Sequence, residues 1–370
     1  MTTSRRFDVA ILGGGPAGAA AAVTLAASGA SALVVERSDG GGREIGESIP
    51  PIARPLIEAL GLDSELETGD HLASYGNRSA WGSAKHSFTD FLFHPEGRGW
   101  HLDRVAFNRA LLRRARAVGA YVALRTRVVA NCYSERGGWA LELESYGCVE
   151  NVSARVVLDC TGRPAAFART HGARRLVHDR LVAIAWTIEG GAEAVDLDTT
   201  TTVESTPYGW WYTARLPLRR RIVVFLTDSD LGEVSRAVRC DEAILMLEPT
   251  GCIRRCLSSY RLSGALPPRV MPANSSRSDM IAGPDWMAVG DAAATYDPLS
   301  SQGIMIALAA GRRAAHAARA RLEGDVTAVA RYAEEIADVY DEYLRNRSIY
   351  YSTETRWPDA LFWKRRISPR

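Results

Sequence analysis

Residues 7–39 read FDVAILGGGPAGAAAAVTLAASGASALVVERSD. Apolar residues 8–12 form a short run of the kind that makes a buried parallel strand, and Gly13, Gly15 and Gly18 complete a G-x-G-x-x-G turn. An Ala-rich helix is expected from about Pro16 to Ser28, then a second apolar strand over 32–35 that ends at Glu36. Each glycine has a separate task. Gly13 permits a tight turn, Gly15 lets the backbone approach a pyrophosphate, and Gly18 lets the helix pack close to the strand. The positive end of the helix then faces the phosphates. Glu36, 18 residues beyond Gly18, stands where a carboxylate can accept hydrogen bonds from a ribose diol. The whole strand–turn–helix–strand–acid unit points to a dinucleotide, which a lone glycine turn would not.

The chain has 370 residues, enough for one large domain or two interleaved ones. Apolar residues make up 46% and charged residues 24%, the balance of a globular protein, and a formal charge of +2 provides no basic field for nucleic acid. The only lysines are Lys85 and Lys364. Six scattered cysteines (Cys132, Cys148, Cys160, Cys240, Cys252, Cys256) suit reduced thiols; Cys252 and Cys256 can share a helix face, but no second pair or nearby His completes a zinc site, and no metal is expected. No apolar run is long enough to span a bilayer, and the opening MTTSRRFDVAILGGG reads as a first strand rather than a signal peptide. The expectation is a cytoplasmic protein without a membrane partner.

Four further stretches extend the first unit. GGREIGESIPP (41–51) follows the acidic residue, and WHLDRVAFNRALLRRARAVGA (100–120) reads as an entry loop and a helix. VVLDCTGRP (156–164) is a buried strand ending in a small-residue turn. DWMAVGDAAATYDPLSSQGIMIALAAGRRAA (285–315) is a strand, then Gly290-Asp291, then a turn into an Ala-rich helix that starts near Gln302-Gly303. With these motifs together, the chain resembles the FAD-dependent monooxygenases and halogenases of the para-hydroxybenzoate-hydroxylase-like fold, over nearly its whole length. The resemblance implies FAD as cofactor. Beside Gly13, Gly15, Gly18 and Glu36, it implies cofactor contacts from Pro16, Ala17, Arg37, Arg43, Ser48, Arg104, Gly162, Asp291, Pro298, Ser301, Gln302, Gly303 and Ile304.

The expected architecture is α/β: a Rossmann-like FAD-binding domain built from 1–75, 100–180 and 272–345. A β-sheet substrate domain over 76–99 and 181–271 is interleaved with it, and a C-terminal helical segment covers 346–370. The region after 180 is rich in Thr, Val and Trp with turn residues between the runs, as antiparallel strands are. It contains PYGWWYTARLP (207–217), where Trp210 and Tyr212 share one face of a strand and Trp211 takes the other. One face is expected in the core and the other before the flavin, with Trp211 or Tyr212 touching substrate.

The flavin halogenases it resembles carry W-x-W-x-I-P and a catalytic lysine. Here the corresponding stretch, Trp210 to Pro217, departs from that spacing, and Lys85, in WGSAKHSF, reads more simply as an exposed lysine. GWWYTARLP, DPLSSQGI and the aromatic C-terminus are more similar to flavoproteins that mature tryptophylquinone cofactors by hydroxylating a tryptophan. The resemblance thus implies a monooxygenase acting on an indole or tryptophyl group, in a small molecule, peptide or protein, through a flavin C4a-(hydro)peroxide formed with O₂. Electrons would come from NAD(P)H or a separate flavin reductase, since no second dinucleotide unit is found. The alternatives are a halogenase using Lys85 and a flavin-binding partner protein that does not turn over. His86, His94 and His101 are possible proton handlers.

Overall fold

The structure is a computed structural model that describes residues 5–40, 45–190, 196–260 and 267–367. The chain opens with β1 (Arg5–Leu12), α1 (Pro16–Ala27) and β2 (Ala32–Glu36), close to the limits expected from the glycine pattern. It continues through β3 (Ser48–Ile49), β4 (Gly76–Ala80), β5 (Ser87–Asp90) and β6 (Gly99–His101) to α2 (Arg104–Ala117), β7 (Tyr121–Leu124) and β8 (Cys148–Asp159). Asp103 starts α2 by accepting the amide of Ala106 at 3.0 Å, satisfying a donor that the first turn leaves without a partner.

Four long strands follow: β9 (Leu181–Glu189), β10 (Thr200–Thr206), β11 (Gly209–Leu216) and β12 (Arg220–Asp228). Three short helices come next, α3 (Glu233–Ala237), α4 (Cys240–Leu247) and α5 (Cys252–Cys256). Beyond them come, with some shorter strands, β13 (Arg269–Pro272), β14 (Trp286–Ala288), α6 (Gly303–Leu322), α7 (Ala328–Ser352) and α8 (Leu361–Ile367).

Two large sheets organise the molecule. In the first, β1 lies between β8 and β2, with β14 beyond β8 and β7 beyond β2, all parallel. Residues 9–12 and 32–35 are fully buried, as helices on both faces of a parallel sheet require. α1 and α6 pack so closely that a Cβ on Gly311 would lie 2.1 Å from the carbonyl oxygen of Ala17. That contact explains the alanines of both helices. The second sheet runs β13-β9-β12-β11-β10-β4-β5 and is antiparallel except where β10 meets β4. β4 and β5 bring residues 76–80 and 87–90 into it, whereas Gly99 starts β6, which pairs with β3.

Both faces of the second sheet are covered. Ala237, Ala243, Leu247 and Ile253 of α3–α5 pack on one side, and Tyr351, Phe362 and Trp363 pack on the other. The helices α3–α5 are an addition to the β-rich region read from the sequence. A further correction concerns the C-terminal segment: α7 runs unbroken from Ala328 to Ser352, so the boundary expected at 346 falls inside a helix. Among the described residues, no helix is long and apolar enough to cross a membrane.

Candidate active site

The glycine turn is built as its spacing demands. Gly13 has φ +110°, and a Cβ there would lie 2.2 Å from the carbonyl oxygen of Cys160, so the turn closes directly on the end of β8. A Cβ on Gly18 would lie 1.9 Å from the carbonyl of Gly13. Glu36 accepts the amides of Gly14 and Ser38, each at 2.7 Å, which fixes its carboxylate at the rim of the turn. Gly290 (φ +61°) abuts Ala17, so the Gly290-Asp291 turn meets the start of α1. Asp291 is half-exposed, with Arg163 3.8 Å away. The residues expected at FAD from four separate segments are therefore neighbours here: Gly13, Gly15, Pro16, Ala17, Gly18 and Glu36, with Gly162 in the turn after β8 and Asp291.

These residues fit FAD on two observations. A Cβ built on Gly15 or on Gly303 meets nothing within 4 Å, so each helix start opens onto clear space. Neither α1 nor α6 has a side-chain cap, which leaves their first amides and positive ends directed at whatever binds there. Pro298, Ser301 (φ +53°) and Gln302 form the turn into α6, while Ile304 is turned into the core. Arg37 is exposed beside Glu36. Arg43 lies outside the described residues.

Arg104 is buried rather than lying on the surface. Its Nη1 donates to the carbonyls of Ile45 and Gly46, pinning the segment that leads into β3. Ser48 then points at the second sheet. Its Oγ lies 2.9 Å from the Tyr212 hydroxyl and 3.2 Å from Thr201 Oγ1, which in turn lies 3.0 Å from His101 Nε2. Ile45, Tyr212 and Leu299 pack on one apolar cluster, so this polar chain sits beside the turn that opens α6. Burial, with Arg221 near, holds the His101 imidazole down to about 4 and so neutral. Burial, reinforced by Glu47, pushes the Tyr212 phenol far up. The Glu47 carboxyl is itself pushed up to about 7 by burial, against the pull of Arg104 and Arg220.

The aromatic strand divides by face. Trp210 and Tyr212 lie on the side of the flavin turn and the C-terminal helices, whereas Trp211 is buried against Phe225 and the residues of α3–α5. Ser48 and Tyr212 are thus brought together, and Trp211 is not with them. Lys85 is exposed in the loop between β4 and β5, and His86 is exposed beside it. Glu47 was missed as a site residue, although GES places it next to Ser48. Its one legible signal was a carboxylate inside IGESIPP (45–51), otherwise a run of apolar and small residues.

A family profile for FAD-dependent oxidoreductases matches residues 8–177, and the tryptophan halogenase profile matches residues 95–368. A protein of Marinomonas mediterranea named as an FAD-dependent oxidoreductase, LodB, is 30% identical over 370 residues, covering 97% of this chain and 96% of its own length. The crystal structure of the flavin-dependent halogenase CmlS superposes with a TM-score of 0.85 at 23% identity, over 100% of this chain and 68% of CmlS. The peptidyl tryptophan dihydroxylase QhpG superposes with a TM-score of 0.75 at 22% identity, over 98% of this chain and 78% of QhpG. With its two-sheet fold, its FAD cradle and these matches, the chain is an FAD-dependent oxidoreductase and belongs to the tryptophan halogenase family.

Proposed function

We propose that this protein is a monooxygenase that hydroxylates an electron-rich aromatic ring, an indole or tryptophyl group, in a small molecule or within a peptide. The observation that carries the reading is the make-up of the polar cluster beside the α6 turn. Ser48 joins Tyr212 and Thr201 there, with buried Glu47 next to it, while both lysines of the chain, Lys85 and Lys364, are exposed. A halogenase that relays oxidised halide through a lysine needs that amine inside. QhpG, which shares the fold, is by name a peptidyl tryptophan dihydroxylase, so the fold accommodates such chemistry.

When bound and reduced, FAD supplies the electrons and the activation of O₂. The chain's own residues do the rest. The α1 amides after Gly15 would hold the pyrophosphate, Glu36 the ribose and Asp291 a ribityl hydroxyl, and the first amides of α6 would stabilise negative charge on the bound flavin. Tyr212 presents the aromatic ring that orients the substrate by edge or face contact. Ile45 and Leu299, packed with Tyr212 on one apolar cluster, keep bulk water from it.

The test supplies the FAD-loaded protein with NAD(P)H or a flavin reductase, O₂ and a panel of indoles, phenols and tryptophan peptides, with and without bromide. A product heavier by one oxygen, formed equally without halide, is the expected result. Halide-dependent product that disappears in Lys85→Ala would instead favour halogenation, the activity for which the family is named. A bound flavin that is never reduced and reoxidised would point to a partner-binding role.

A further inference from the structure

We propose that Glu47 is the base that takes up the ring proton when oxygen is transferred to the substrate. The assignment rests on the hydroxylation reading for the reaction and on this chain's geometry for the residue. Glu47 follows Gly46, whose φ is +105°, and the Arg104 guanidinium holds the carbonyls of Ile45 and Gly46 in place. The carboxyl is therefore delivered on a backbone fixed between the cofactor cradle and the second sheet. Its residue is 5% exposed, and Oε2 has no hydrogen-bond partner among the described residues. Buried carboxylate oxygens are nearly always paired, so an open one beside Ser48 and the Tyr212 phenol marks a place for a donor that arrives with substrate.

The surrounding charges come from each element packed there. Arg104 approaches from α2, Arg220 from β12 (itself 3.6 Å from Asp103), and the Tyr212 phenol from β11, with Arg221 beyond it. Burial outweighs both guanidiniums, so Glu47 exchanges its proton at about 7. Tyr212 stays a phenol and His101 stays a neutral imidazole over the same range. Ser48 and Thr201 do not titrate there. In this cluster Glu47 is the group whose charge changes near neutrality, where a general base works best.

The step balances as follows. A bond forms between the ring carbon and one oxygen atom of O₂, and the O–O bond breaks using the two electrons delivered by reduced flavin. The C–H bond at that carbon breaks, its electron pair restores the aromatic ring, and the proton passes to the Glu47 carboxylate. The second oxygen leaves as water with protons from solvent and reduced flavin, and Glu47 returns its proton to solvent.

Two measurements test this on the FAD-loaded protein. The first is the pH dependence of product formation at saturating reductant and O₂. Wild type should rise through about 7 to a plateau, whereas Glu47→Gln should lose roughly 10²- to 10⁴-fold of the rate and show no limb there. The second is a titration of ¹³C-labelled glutamate carboxyls by NMR without substrate, in which one resonance near 7 should vanish in Glu47→Gln. FAD affinity of Glu47→Gln should match wild type and its melting temperature should be no lower, showing an intact fold. A Glu47→Gln enzyme that keeps the wild-type limb, a wild-type rate that falls rather than rises across that range, or a Glu47 resonance at the ordinary glutamate position would each overturn the assignment. If no aromatic is hydroxylated, the reading of the reaction fails. The resonance still decides for the residue, since its shift on adding indole supports a proton-exchanging contact and its indifference to indole overturns it.

Discussion

Glu47 also sets a pH dependence of stability. Its folded value near 7 lies above the usual 4.5, so its favourable contribution is complete below about 4.5 and is lost as pH rises to about 7. A rise of that size corresponds to about 3 kcal/mol. Glu47→Gln does not titrate and should escape the loss. Urea denaturation at about pH 5 and about pH 8 should show the variant gaining on wild type by up to about 3 kcal/mol at the higher pH. The aromatic triplet makes a second residue-scale case. Alternation along a strand is enough to place Trp210 and Tyr212 opposite Trp211, but the covering elements decide which face is core. Those elements, α3–α5 and the C-terminal helices, are distant in sequence, so parity alone left the choice open. With Trp211 buried in the α3–α5 cluster, Trp211→Ala should cost about 3–5 kcal/mol. Turnover per folded molecule should be largely kept. Tyr212→Phe, which removes a hydroxyl bonded to Ser48, should cost only about 1 kcal/mol while lowering turnover. Paired denaturation and rate measurements separate the two.

At the scale of elements, the glycine turn and its flanking strands were legible because each glycine answers a local demand. A Cβ at Gly13 or Gly18 would collide with backbone, and such demands leave a fixed spacing in the chain. The short helices were not legible, since five to eight residues carry too few turns for a periodic apolar stripe. What positions α5 is a single side chain on a strand. Glu204 of β10, buried, accepts the amides of Gly251, Cys252 and Ile253 at 2.7, 2.8 and 2.9 Å, so a carboxylate caps the helix that covers Trp211. Its partners lie 47 to 49 residues away, beyond any local pattern. Glu204→Ala would leave three amides, two of them buried, without acceptors and should cost about 3 kcal/mol. Glu204→Gln keeps one acceptor oxygen and should cost less. Hydrogen exchange at 251–256 would report the loosening directly, with the amides of β1 and β2 unaffected.

Across the whole molecule, the polar cluster was the least legible part, because residues as far apart as Ser48 and Tyr212, 164 positions, meet only when the small sheet that carries Ser48 is assembled against the second sheet. The same assembly joins the flavin turn to the C-terminal helices through Asp297. This buried carboxylate accepts the Leu299 amide at 3.0 Å and the Tyr351 hydroxyl at 2.7 Å, and it pairs with Arg347 at 3.3 Å. Arg347 also pairs with Asp179 at 3.1 Å, and the Tyr351 oxygen accepts Trp210 Nε1 at 3.1 Å. One helix, α7, thus holds both the turn that begins α6 and the strand that carries Tyr212. Arg347→Met would strand two buried carboxylates and should cost about 3–5 kcal/mol. Tyr351→Phe, losing two hydrogen bonds but no charge, should cost about 1–3 kcal/mol. Since the network joins the turn into α6 and helix α7 to the second sheet, flavin release and tryptophan fluorescence should report one coincident urea transition in wild type and in both variants, shifted to lower urea in each variant. A fluorescence change that precedes flavin release would show that the C-terminal helices unfold apart from the cofactor domain.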